Sequence, residues 1–236
     1  MILCVTGTST GVGKTVATAA LAAALLRDGP VTVVKPAQTG FDPGAERDED
    51  GQLSDAAEVA RLAPGAVTVE HRRFPEPLAP LTAAARAGLD PLGRAEAVDV
   101  VRRAAGAVLV EGAGGVLVRL GVDGTRTPFT LIDLAADLGA PVVVVADPAL
   151  GTLNHTELTV RALEAAGVAC AGIVLSRWPD RPGLAERCNL TDLPEVTGVP
   201  VVGRIPDGAV ALPPERFAAA APSWFDGAWL SARSRR

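Results

Sequence analysis

A glycine-rich turn near the start of the chain has the residues needed to hold phosphate. The apolar run Ile2 to Val5 is long enough for a buried strand, and it is followed by the sequence Thr-Gly-Thr-Ser-Thr-Gly-Val-Gly-Lys-Thr. Val16 to Leu26 then has the alanine- and leucine-rich composition of a helix. Free N–H groups and the dipole at a helix N-terminus favour an anion. Lys14 is placed to reach the β- and γ-phosphates of a nucleotide, and the Thr15 hydroxyl to bind Mg²⁺. The sequence therefore predicts a phosphate-binding loop at residues 6–15, called the P-loop below.

The P-loop departs from the common pattern at one position. The pattern G-x-x-x-x-G-K-[ST] requires glycine at position 8, where this chain has Thr8, and the glycine stands one place earlier, at Gly7. The alternative interpretation is a glycine turn between a strand and a core helix. The strand before the turn and the helix after it are the context that this motif requires, and they favour phosphate binding.

Lysine usage points to a second residue with a chemical role. Of the 22 Lys and Arg residues only Lys14 and Lys35 are lysines, and one of them already lies in the P-loop. The two residue types differ where a compact ammonium, rather than a planar fork, must contact phosphate or reacting atoms. Lys35 follows the β-branched run Val31 to Val34, and ligands collect outside the carboxyl ends of parallel strands. We therefore expect Lys35 to lie near the P-loop.

Two strand ends carry a carboxylate that could help to hold Mg²⁺. Glu111 follows the apolar run Ala107 to Val110, and Asp147 follows the run Val142 to Ala146. An acid at the end of a buried strand is the Walker B arrangement, in which a carboxylate helps to bind the Mg²⁺ of a nucleotide. Glu111 is the favoured candidate because glycines follow it and let the backbone approach a ligand closely.

Polar residues at two predicted helix starts have both structural and chemical interpretations. Ser54 and Asp55 precede a helical pattern, where they either cap the helix or, through Asp55, face Mg²⁺; the sequence leaves both open. The segment 42–52 before them is acidic, and we expect a mobile loop there. A later helix begins near Thr152, where exposed N–H groups could hold a carboxylate. His155 follows in its first turn, a place where histidine is more often a hydrogen-bonding residue than a general base.

The elements that must position these residues alternate along the chain. Five or six apolar strands are separated by helices, which predicts a single α/β domain with a mostly parallel sheet and helices on both faces. Prolines predict an extended loop over residues 67–80, and a last short strand covers residues 200–205. We expect one domain over residues 1–230 and a flexible, basic tail over residues 231–236.

Composition argues against several classes of function. The chain has 236 residues and a net charge of −5 with both signs interspersed, so no global field draws it to nucleic acid. No apolar run approaches the roughly 20 residues that span a bilayer, and no signal peptide precedes the first strand. The three cysteines are widely spaced, which indicates buried thiols rather than a disulfide framework or a zinc site. We predict a cytoplasmic protein that binds neither nucleic acid nor membrane.

Five segments match one known pattern in order and spacing: Thr6 to Thr15, Val34 to Gly40, Ser54-Asp55, Val110 to Gly115 and Leu150 to Thr156. Together they resemble the ATP-dependent dethiobiotin synthetase family. The resemblance implies a P-loop NTPase-like domain that works as a homodimer in biotin biosynthesis. It implies a reaction in which 7,8-diaminopelargonate, CO₂ and ATP, with Mg²⁺, give dethiobiotin, ADP and phosphate through a phosphorylated carbamate.

The resemblance also implies a role for individual residues. The catalytic positions match Lys35, Lys14 and Thr10, and the Mg²⁺ ligands match Thr15, Asp55 and Glu111. The substrate-binding positions match Thr39, Leu150, Gly151 and Asn154. The nucleotide-binding positions match Gly11, Val12, Gly13, Lys14, Thr15, Val16, Asp55, Glu111, Gly112, Ala113, Gly114, Ser176, Arg177, Pro206, Asp207 and Gly208, the last five beside the adenine.

Two features of this chain bear on that assignment. Ser176 stands where many members of the family have asparagine, which leaves base recognition open. The long acidic segment before Ser54 offers Asp48, Glu49 and Asp50 as competitors of Asp55 for the metal.

Three other functions are compatible with a P-loop. A partition-type or nitrogenase-reductase-like ATPase switch, the main alternative, has a signature lysine where this chain has Ser9. An amidating ligase of the cobyrinate type adds a glutaminase domain, which no segment here could supply. A regulatory module without turnover would leave Lys35 and the glycines after Glu111 unexplained.

Overall fold

Strands and helices alternate along the part of the chain that the structure, a computed structural model, describes: residues 1–42 and 44–234. The strands are β1 (Ile2–Gly7), β2 (Val31–Thr39), β3 (Val67–Phe74), β4 (Leu92–Gly93), β5 (Ala107–Gly115), β6 (Gly121–Val122), β7 (Pro128–Phe129), β8 (Val142–Ala146), β9 (Cys170–Trp178) and β10 (Val201–Pro206). The helices are α1 (Lys14–Leu25), α2 (Asp55–Leu62), α3 (Pro80–Ala87), α4 (Arg94–Arg103), α5 (Leu131–Leu138), α6 (Thr152–Ala165), α7 (Leu184–Thr197), α8 (Pro214–Ala220) and α9 (Gly227–Ser234). Two 3₁₀ turns cover Ala209–Ala211 and Ala221–Trp224.

Seven of these strands form one parallel sheet in the order β10-β9-β8-β1-β5-β2-β3. A small second sheet joins β4, β6 and β7. Strand β8 is buried at every position, as expected for a parallel strand covered on both faces. The predicted fold class, a mostly parallel sheet with helices on both faces, is confirmed.

Two layers of helices cover the sheet and form separate parts of the core. Helices α1, α2 and α8 pack on one face, where Leu21, Leu62 and Phe217 are fully buried. Helices α4 and α5 pack on the other face around Val101 and Leu134. Half of the residues of helix α1 are alanine and the helix is buried on nearly all sides, so small side chains let it lie close to the centre of the sheet. Its start, and with it the P-loop, is therefore held firmly.

The loop predicted over residues 67–80 is wrong in its first half. Val67–Phe74 forms β3, which pairs with β2 from Thr32↔Val67 to Thr39↔Phe74. Since β3 is an edge strand, most of its side chains are only partly buried, Phe74 being the exception, and it lacks the apolar run that marks the central strands. The prolines that indicated a loop come after Phe74 and end the strand.

The predicted flexible tail begins inside a helix. Helix α9 extends to Ser234, and the Arg233 guanidinium donates to Ala171 O at 3.0 Å and to Trp229 O at 3.1 Å. Residues 235 and 236 lie outside the described residues. Within the described chain, no helix has the length and hydropathy needed to cross a membrane.

The three cysteines are free, and their burial differs from the prediction. Cys4 is buried, Cys170 is half-buried and Cys188 is exposed. Burial raises the pKa of the Cys4 thiol to about 12 and that of Cys170 to about 11. The prediction of buried thiols therefore fails for Cys188, which lies on helix α7.

Candidate active site

The P-loop joins β1 to α1 at the carboxyl end of the sheet. Strand β1 lies between β5 and β8, and the ends of β2 and β5 lie on the same edge of the sheet. This is the edge where ligands bind in open parallel sheets. Four segments of the chain can therefore contribute to one site: the P-loop, the end of β2, the start of α2 and the end of β5.

Two glycines fix the shape of the P-loop. A Cβ on Gly7 would lie 2.6 Å from Val12 Cγ2 and 2.9 Å from Ser9 O, so the displaced glycine of the sequence motif is required by close packing. Gly13 has φ 88°, in the left-handed region that glycine adopts without strain. Gly13 also precedes α1, and within the described chain no side chain caps its first turn. The N–H groups at this helix start are thus available to an anion.

A cluster of charged side chains lies beside the P-loop. The Thr15 hydroxyl is 2.8 Å from Asp55 Oδ1 and 2.9 Å from Glu111 Oε1. Lys35 Nζ donates to Glu111 Oε1 at 3.1 Å and to Gly112 O at 2.9 Å, and it also forms an ion pair with Asp55. Lys14 Nζ donates to Ser9 O at 3.1 Å. Lys35, the two carboxylates and the Thr15 hydroxyl are thus connected through short polar contacts, and Lys14 is bound to the P-loop backbone beside them.

Burial and charge act in opposite directions on these groups. Lys35 and Glu111 are 3% and 1% exposed. Burial alone lowers the pKa of the Lys35 ammonium, but Glu111 and Asp55 outweigh it and raise this pKa above its ordinary value. Burial raises the pKa of Glu111. Burial also acts to raise the pKa of Asp55, yet Lys35 and Thr15 bring it below its usual value.

Lys14 behaves differently from Lys35. Burial, and then the positive charge of Lys35, lower the pKa of its ammonium. Glu111 and Asp55 act to raise this pKa, but their effects are smaller than those of burial and Lys35. Lys14 is thus the cation that a bound phosphate would stabilise most.

The carboxylates fit a hard divalent cation. Glu111 Oε2 is buried and has no hydrogen-bond partner among the described residues, so one oxygen is available for a ligand. A buried carboxylate oxygen without a partner is costly unless a ligand satisfies it. Among those residues no group of three His, Cys, Asp or Glu forms a complete metal site. Mg²⁺ needs no such set, because it commonly uses one or two carboxylates together with phosphate oxygens and water.

A cavity of about 720 Å³ opens above the cluster. Its lining combines the charged and polar side chains of Lys14, Thr15, Lys35, Asp55 and Glu111 with apolar residues at Pro77 to Pro80 and Val118. A lining of both kinds suits a ligand with a reactive polar group and an aliphatic chain.

The structure brings many of the predicted site residues together around this cavity and leaves others outside. Its lining includes Thr10, Gly11, Gly13, Lys14, Thr15, Lys35, Thr39, Asp55, Glu111, Ala113 and Gly114. Gly112 contributes its carbonyl oxygen to Lys35. Val12 and Val16 belong to the P-loop and the first turn of α1. Leu150, Gly151 and Asn154 do not line the cavity, and Leu150 is 91% exposed.

The residues predicted beside the adenine differ in burial and in the groups that they contact. Ser176 is buried beneath the P-loop, where its hydroxyl donates to Val12 O. Arg177 is exposed and forms an ion pair with Asp147. Pro206 to Gly208 form the turn after β10, and Asp207 N donates to Trp178 O at 2.8 Å.

The competing acids do not approach Thr15. The Asp147 carboxylate accepts from Ala149 N at 2.9 Å and pairs with Arg177. Asp48 accepts from Gln52 N at 2.7 Å inside the loop before α2. Glu49 and Asp50 are exposed in the same loop. In contrast, Asp55 and Glu111 both contact the Thr15 hydroxyl.

Sequence reasoning missed two contributions to the site. Gln38 Oε1 accepts from Asp55 N at 3.1 Å and so orients the start of α2. Its position between Lys35 and Thr39 in the motif of β2 was the available signal. Pro77 to Pro80 also line the cavity, and no local pattern indicated this because the segment was interpreted only as part of an extended loop.

The fold and the site together define a nucleotide-binding protein of the P-loop class. Solved structures with this fold include the cell-division ATPase MinD of Pyrococcus furiosus, with a TM-score of 0.58, 20% identity and coverage of 99% of this chain and 98% of that chain. A ParA family ATPase from Chlorobium tepidum TLS has a TM-score of 0.58 at 13% identity, covering 98% of this chain and 96% of that chain. At these identities the likeness shows the fold alone.

Sequence comparison identifies the family. A family model described as an AAA domain matches residues 2–214. The chain is 59% identical over 239 residues to the ATP-dependent dethiobiotin synthetase BioD of Rhodococcus jostii (strain RHA1), covering 100% of this chain and 99% of that protein. It is 50% identical over 236 residues to the enzyme of the same name in Streptomyces coelicolor, covering 97% of this chain and 94% of that protein. The chain belongs to the ATP-dependent dethiobiotin synthetase family, and the predicted family is confirmed.

Proposed function

We infer that this chain catalyses the ATP-dependent formation of dethiobiotin in biotin biosynthesis. It is a ligase that closes a ring by forming carbon–nitrogen bonds, with ATP as co-substrate. The main support is that the P-loop and a second buried lysine, Lys35, face one cavity in a chain that matches dethiobiotin synthetases over its whole length. The organic substrate is 7,8-diaminopelargonate, and the carbon of the new ring comes from CO₂.

The reaction needs no covalent nucleophile from the protein. One amine nitrogen of the substrate attacks CO₂ and loses a proton, which gives a carbamate. A carbamate oxygen takes the γ-phosphoryl group of ATP, and ADP leaves. The second amine attacks the carbonyl carbon of the mixed anhydride and loses a proton. The bond between that carbon and the phosphate oxygen breaks, so the ring closes and phosphate leaves.

Lys14 and Lys35 supply positive charge at the two sides of phosphoryl transfer. Lys14, with the N–H groups at the start of α1, is proposed to bind the β- and γ-phosphates. Lys35 lines the same cavity and is more buried than Lys14, and we assign it, with Thr10, to the oxygens of the carbamate. Phosphoryl transfer depends chiefly on positioning and on stabilisation of charge, which fixed ammonium groups provide without reorganisation.

Thr15, Asp55 and Glu111 are the proposed ligands of Mg²⁺. The support is the contact of both carboxylates with the Thr15 hydroxyl and the partnerless oxygen of Glu111. When bound, Mg²⁺ neutralises charge on the phosphate oxygens. The positive charge of Lys35 acts to lower the pKa of both carboxylates, although burial outweighs it at Glu111, and it thereby favours the ionised form that binds a cation.

The start of α6 is proposed to complete the site of a second copy of the chain. Leu150, Gly151 and Asn154 are exposed and lie outside the cavity of their own chain. Among the described residues no side chain caps the first turn of α6, so its N–H groups are available to a carboxylate. The carboxylate of 7,8-diaminopelargonate lies several carbons from its amines, so it needs a contact away from the residues that bind the reacting amines. We therefore propose a homodimer with shared sites.

Two further assignments complete the proposal. Arg177 and the segment from Pro206 to Gly208 are assigned to the adenine, because Arg177 lies among the last residues of β9 and Pro206 ends β10, on the edge of the sheet that carries the P-loop. Thr39 lines the cavity and is assigned to the substrate.

A cytoplasmic location is proposed because the reaction consumes ATP and the cysteines are free, as is usual in a reducing compartment.

Product analysis tests the function directly. The purified chain is incubated with ATP, bicarbonate, Mg²⁺ and 7,8-diaminopelargonate, and both phosphate and dethiobiotin are measured. We expect equal amounts of the two products, and phosphate release that stops when the diamine is left out. Phosphate release without the diamine, and without dethiobiotin, would instead indicate the partition-type ATPase.

A further inference from the structure

Ser176 makes a contact that its position in the sequence does not explain. It lies near the end of β9, is 1% exposed and donates its hydroxyl hydrogen to Val12 O in the P-loop. Strand β8 separates β9 from β1 in the sheet, so this bond connects parts of the chain that are not neighbouring strands. A Cβ on Gly13 would lie 2.9 Å from Ser176 Oγ. The serine therefore fills the space beside the glycine that begins the first turn of α1.

The bond acts on the orientation of one peptide group. Val12 C=O and Gly13 N–H belong to the same planar trans peptide, in which the two bonds point in opposite directions. A donor that holds Val12 O on the side of β9 therefore directs Gly13 N–H to the opposite side. Phosphate binding in a P-loop depends on N–H groups that converge and carbonyl oxygens that point away. Ser176 thus stabilises the orientation of this peptide that phosphate requires.

The backbone next to Ser176 favours this orientation of its side chain. Arg177 has φ 51°, which is uncommon for a residue other than glycine, and it forms an ion pair with Asp147. This turn points Arg177 outward while Ser176 faces the P-loop. Strained residues persist where surrounding contacts hold them, and they are common next to functional sites. The ion pair of Arg177 is such a contact.

We propose that Ser176 is a positioning residue for the triphosphate of the bound nucleotide and does not contact the base. It acts through Val12 and Gly13 and touches neither substrate nor phosphate itself. The inference rests on the proposed function in one respect, because it assumes that the P-loop binds ATP. It predicts that loss of the hydroxyl weakens the binding of any triphosphate, whatever base it carries.

Ser176→Ala tests this with two ligands, ATP and inorganic tripolyphosphate, measured by calorimetry on the whole chain. We expect both dissociation constants to rise by the same factor, about three- to tenfold, the size that one net hydrogen bond gives. In turnover assays the KM for ATP should rise by a similar factor. The kcat at saturating ATP and the KM for 7,8-diaminopelargonate should change less than about twofold, since the carbamate end of the site is untouched.

Two variants separate the hydrogen bond from packing and from stability. Ser176→Cys keeps nearly the same volume but has only a weak donor, so it should bind both ligands as poorly as Ser176→Ala. Thr32→Val is the matched control, because Thr32 is also buried and donates to Ala105 O at 2.8 Å at the opposite end of the sheet. It should lower the melting temperature about as much as Ser176→Ala and leave both dissociation constants unchanged.

Four outcomes would overturn the proposal. A loss of ATP affinity with normal tripolyphosphate affinity would mean that Ser176 acts on the nucleoside. Normal affinity of Ser176→Ala for both ligands would mean that the bond is only structural. Normal affinity of Ser176→Cys would assign the effect to packing. If the wild-type chain binds neither ligand, the proposed function fails together with this inference. If the wild-type chain binds both ligands and Ser176→Ala binds them equally well, only this inference fails.

Discussion

Glu111 and Asp147 are carboxylates on the two sides of strand β1, and they have opposite environments. Glu111 lies in β5, is almost fully buried and contacts Thr15 and Lys35. Asp147 follows β8, its side chain is 39% exposed, and it is bound by Arg177 and by Ala149 N. Both follow an apolar run of residues, so the run before the acid does not distinguish them. The two acids are distinguished by the residues that contact them from other segments of the chain.

The difference shows how a ligand site differs from a structural ion pair. The carboxylate of Asp147 is satisfied by its own chain, with a partner whose guanidinium is exposed to water. Glu111 has one oxygen without a hydrogen-bond partner among the described residues, and its partner Lys35 is itself buried. A buried group that the chain leaves incompletely bonded is available to a ligand, whereas a fully bonded exposed pair contributes little beyond local order.

The largest effect is expected at the partner of Glu111. Lys35→Ala should lower kcat by roughly 10²- to 10³-fold, as expected for a donor to developing charge, with a smaller change in the KM for ATP. Lys35→Arg should not restore kcat, because a planar fork cannot take the place of a compact ammonium. Lys14→Ala should instead weaken ATP binding and turnover together. Steady-state kinetics of the three variants measure this, and a near-normal kcat for Lys35→Ala would remove Lys35 from the mechanism.

The second effect concerns the Asp147 side of the sheet, which leads into α6. Lys35→Ala and Asn154→Ala are each expected to be nearly inactive. Unfolded together and reassembled, they should regain on the order of a quarter of the wild-type rate, because half of the dimers are mixed and each has one intact site. Separately refolded parents are the control. Mixed dimers that form but stay inactive would show that each site is built from one chain.

The third prediction compares the two carboxylates directly. Glu111→Gln should raise the Mg²⁺ concentration for half-maximal activity by at least about tenfold, since loss of even an outer partner of a metal ligand costs that much. Asp147→Asn should leave this concentration within about twofold, because Asp147 does not contact Thr15. Mg²⁺ titrations of both variants at saturating ATP decide it. A larger shift for Asp147→Asn would place the metal on the other side of β1.

The smallest effect is expected at a carboxylate outside the site. Glu96 begins α4 and bonds Arg72 at 2.8 Å, His71 at 2.7 Å and Gly93 N at 3.1 Å. Burial acts to raise its pKa, but the bond to Arg72 and the others outweigh it and lower the pKa to about 2 from an ordinary 4.5. Because the folded value is the lower one, this stabilisation is present above about pH 4.5 and is lost as the pH falls towards 2.

Glu96→Gln should therefore lower the melting temperature at pH 7 by roughly 2–4 °C, for a loss of about 1 kcal/mol. The difference from the wild type should shrink below pH 4.5, and activity should be unchanged. Melting curves between pH 2 and pH 7 test this. A difference that stays constant over that range would assign the effect to packing rather than to charge.

The central strands and the P-loop could be predicted because their signals are local. Strand β8 begins and ends where its apolar run does, and the glycines before Lys14 identify the turn. Strand β3 could not be found in this way, because it is an edge strand with polar residues on both faces. Its pairing with β2 depends on residues about 35 positions earlier, which no local pattern shows.

Individual side chains of the site were predictable only in part. Lys35 was distinguished by lysine usage and by the apolar run before it. Strand β2 continues past it to Thr39, but Lys35 still lies next to the P-loop, where that reasoning placed it. The environment of Ser176 was not predictable, because it depends on the positive φ of Arg177 and on the absence of a side chain at Gly13. The roles assigned to these residues stay predictions.

The charges around the cavity also affect how fast ATP arrives. With both carboxylates ionised, Lys14, Lys35, Asp55 and Glu111 sum to zero, and the whole chain has a net charge of −5. A polyanion therefore meets no attractive long-range field, and the whole molecule repels it weakly. Added salt screens that repulsion over a Debye length of about 10 Å at 0.1 M. The association rate constant of ATP, measured by stopped flow, should thus stay level or rise slightly as the salt concentration increases, in contrast to enzymes that attract their substrates electrostatically.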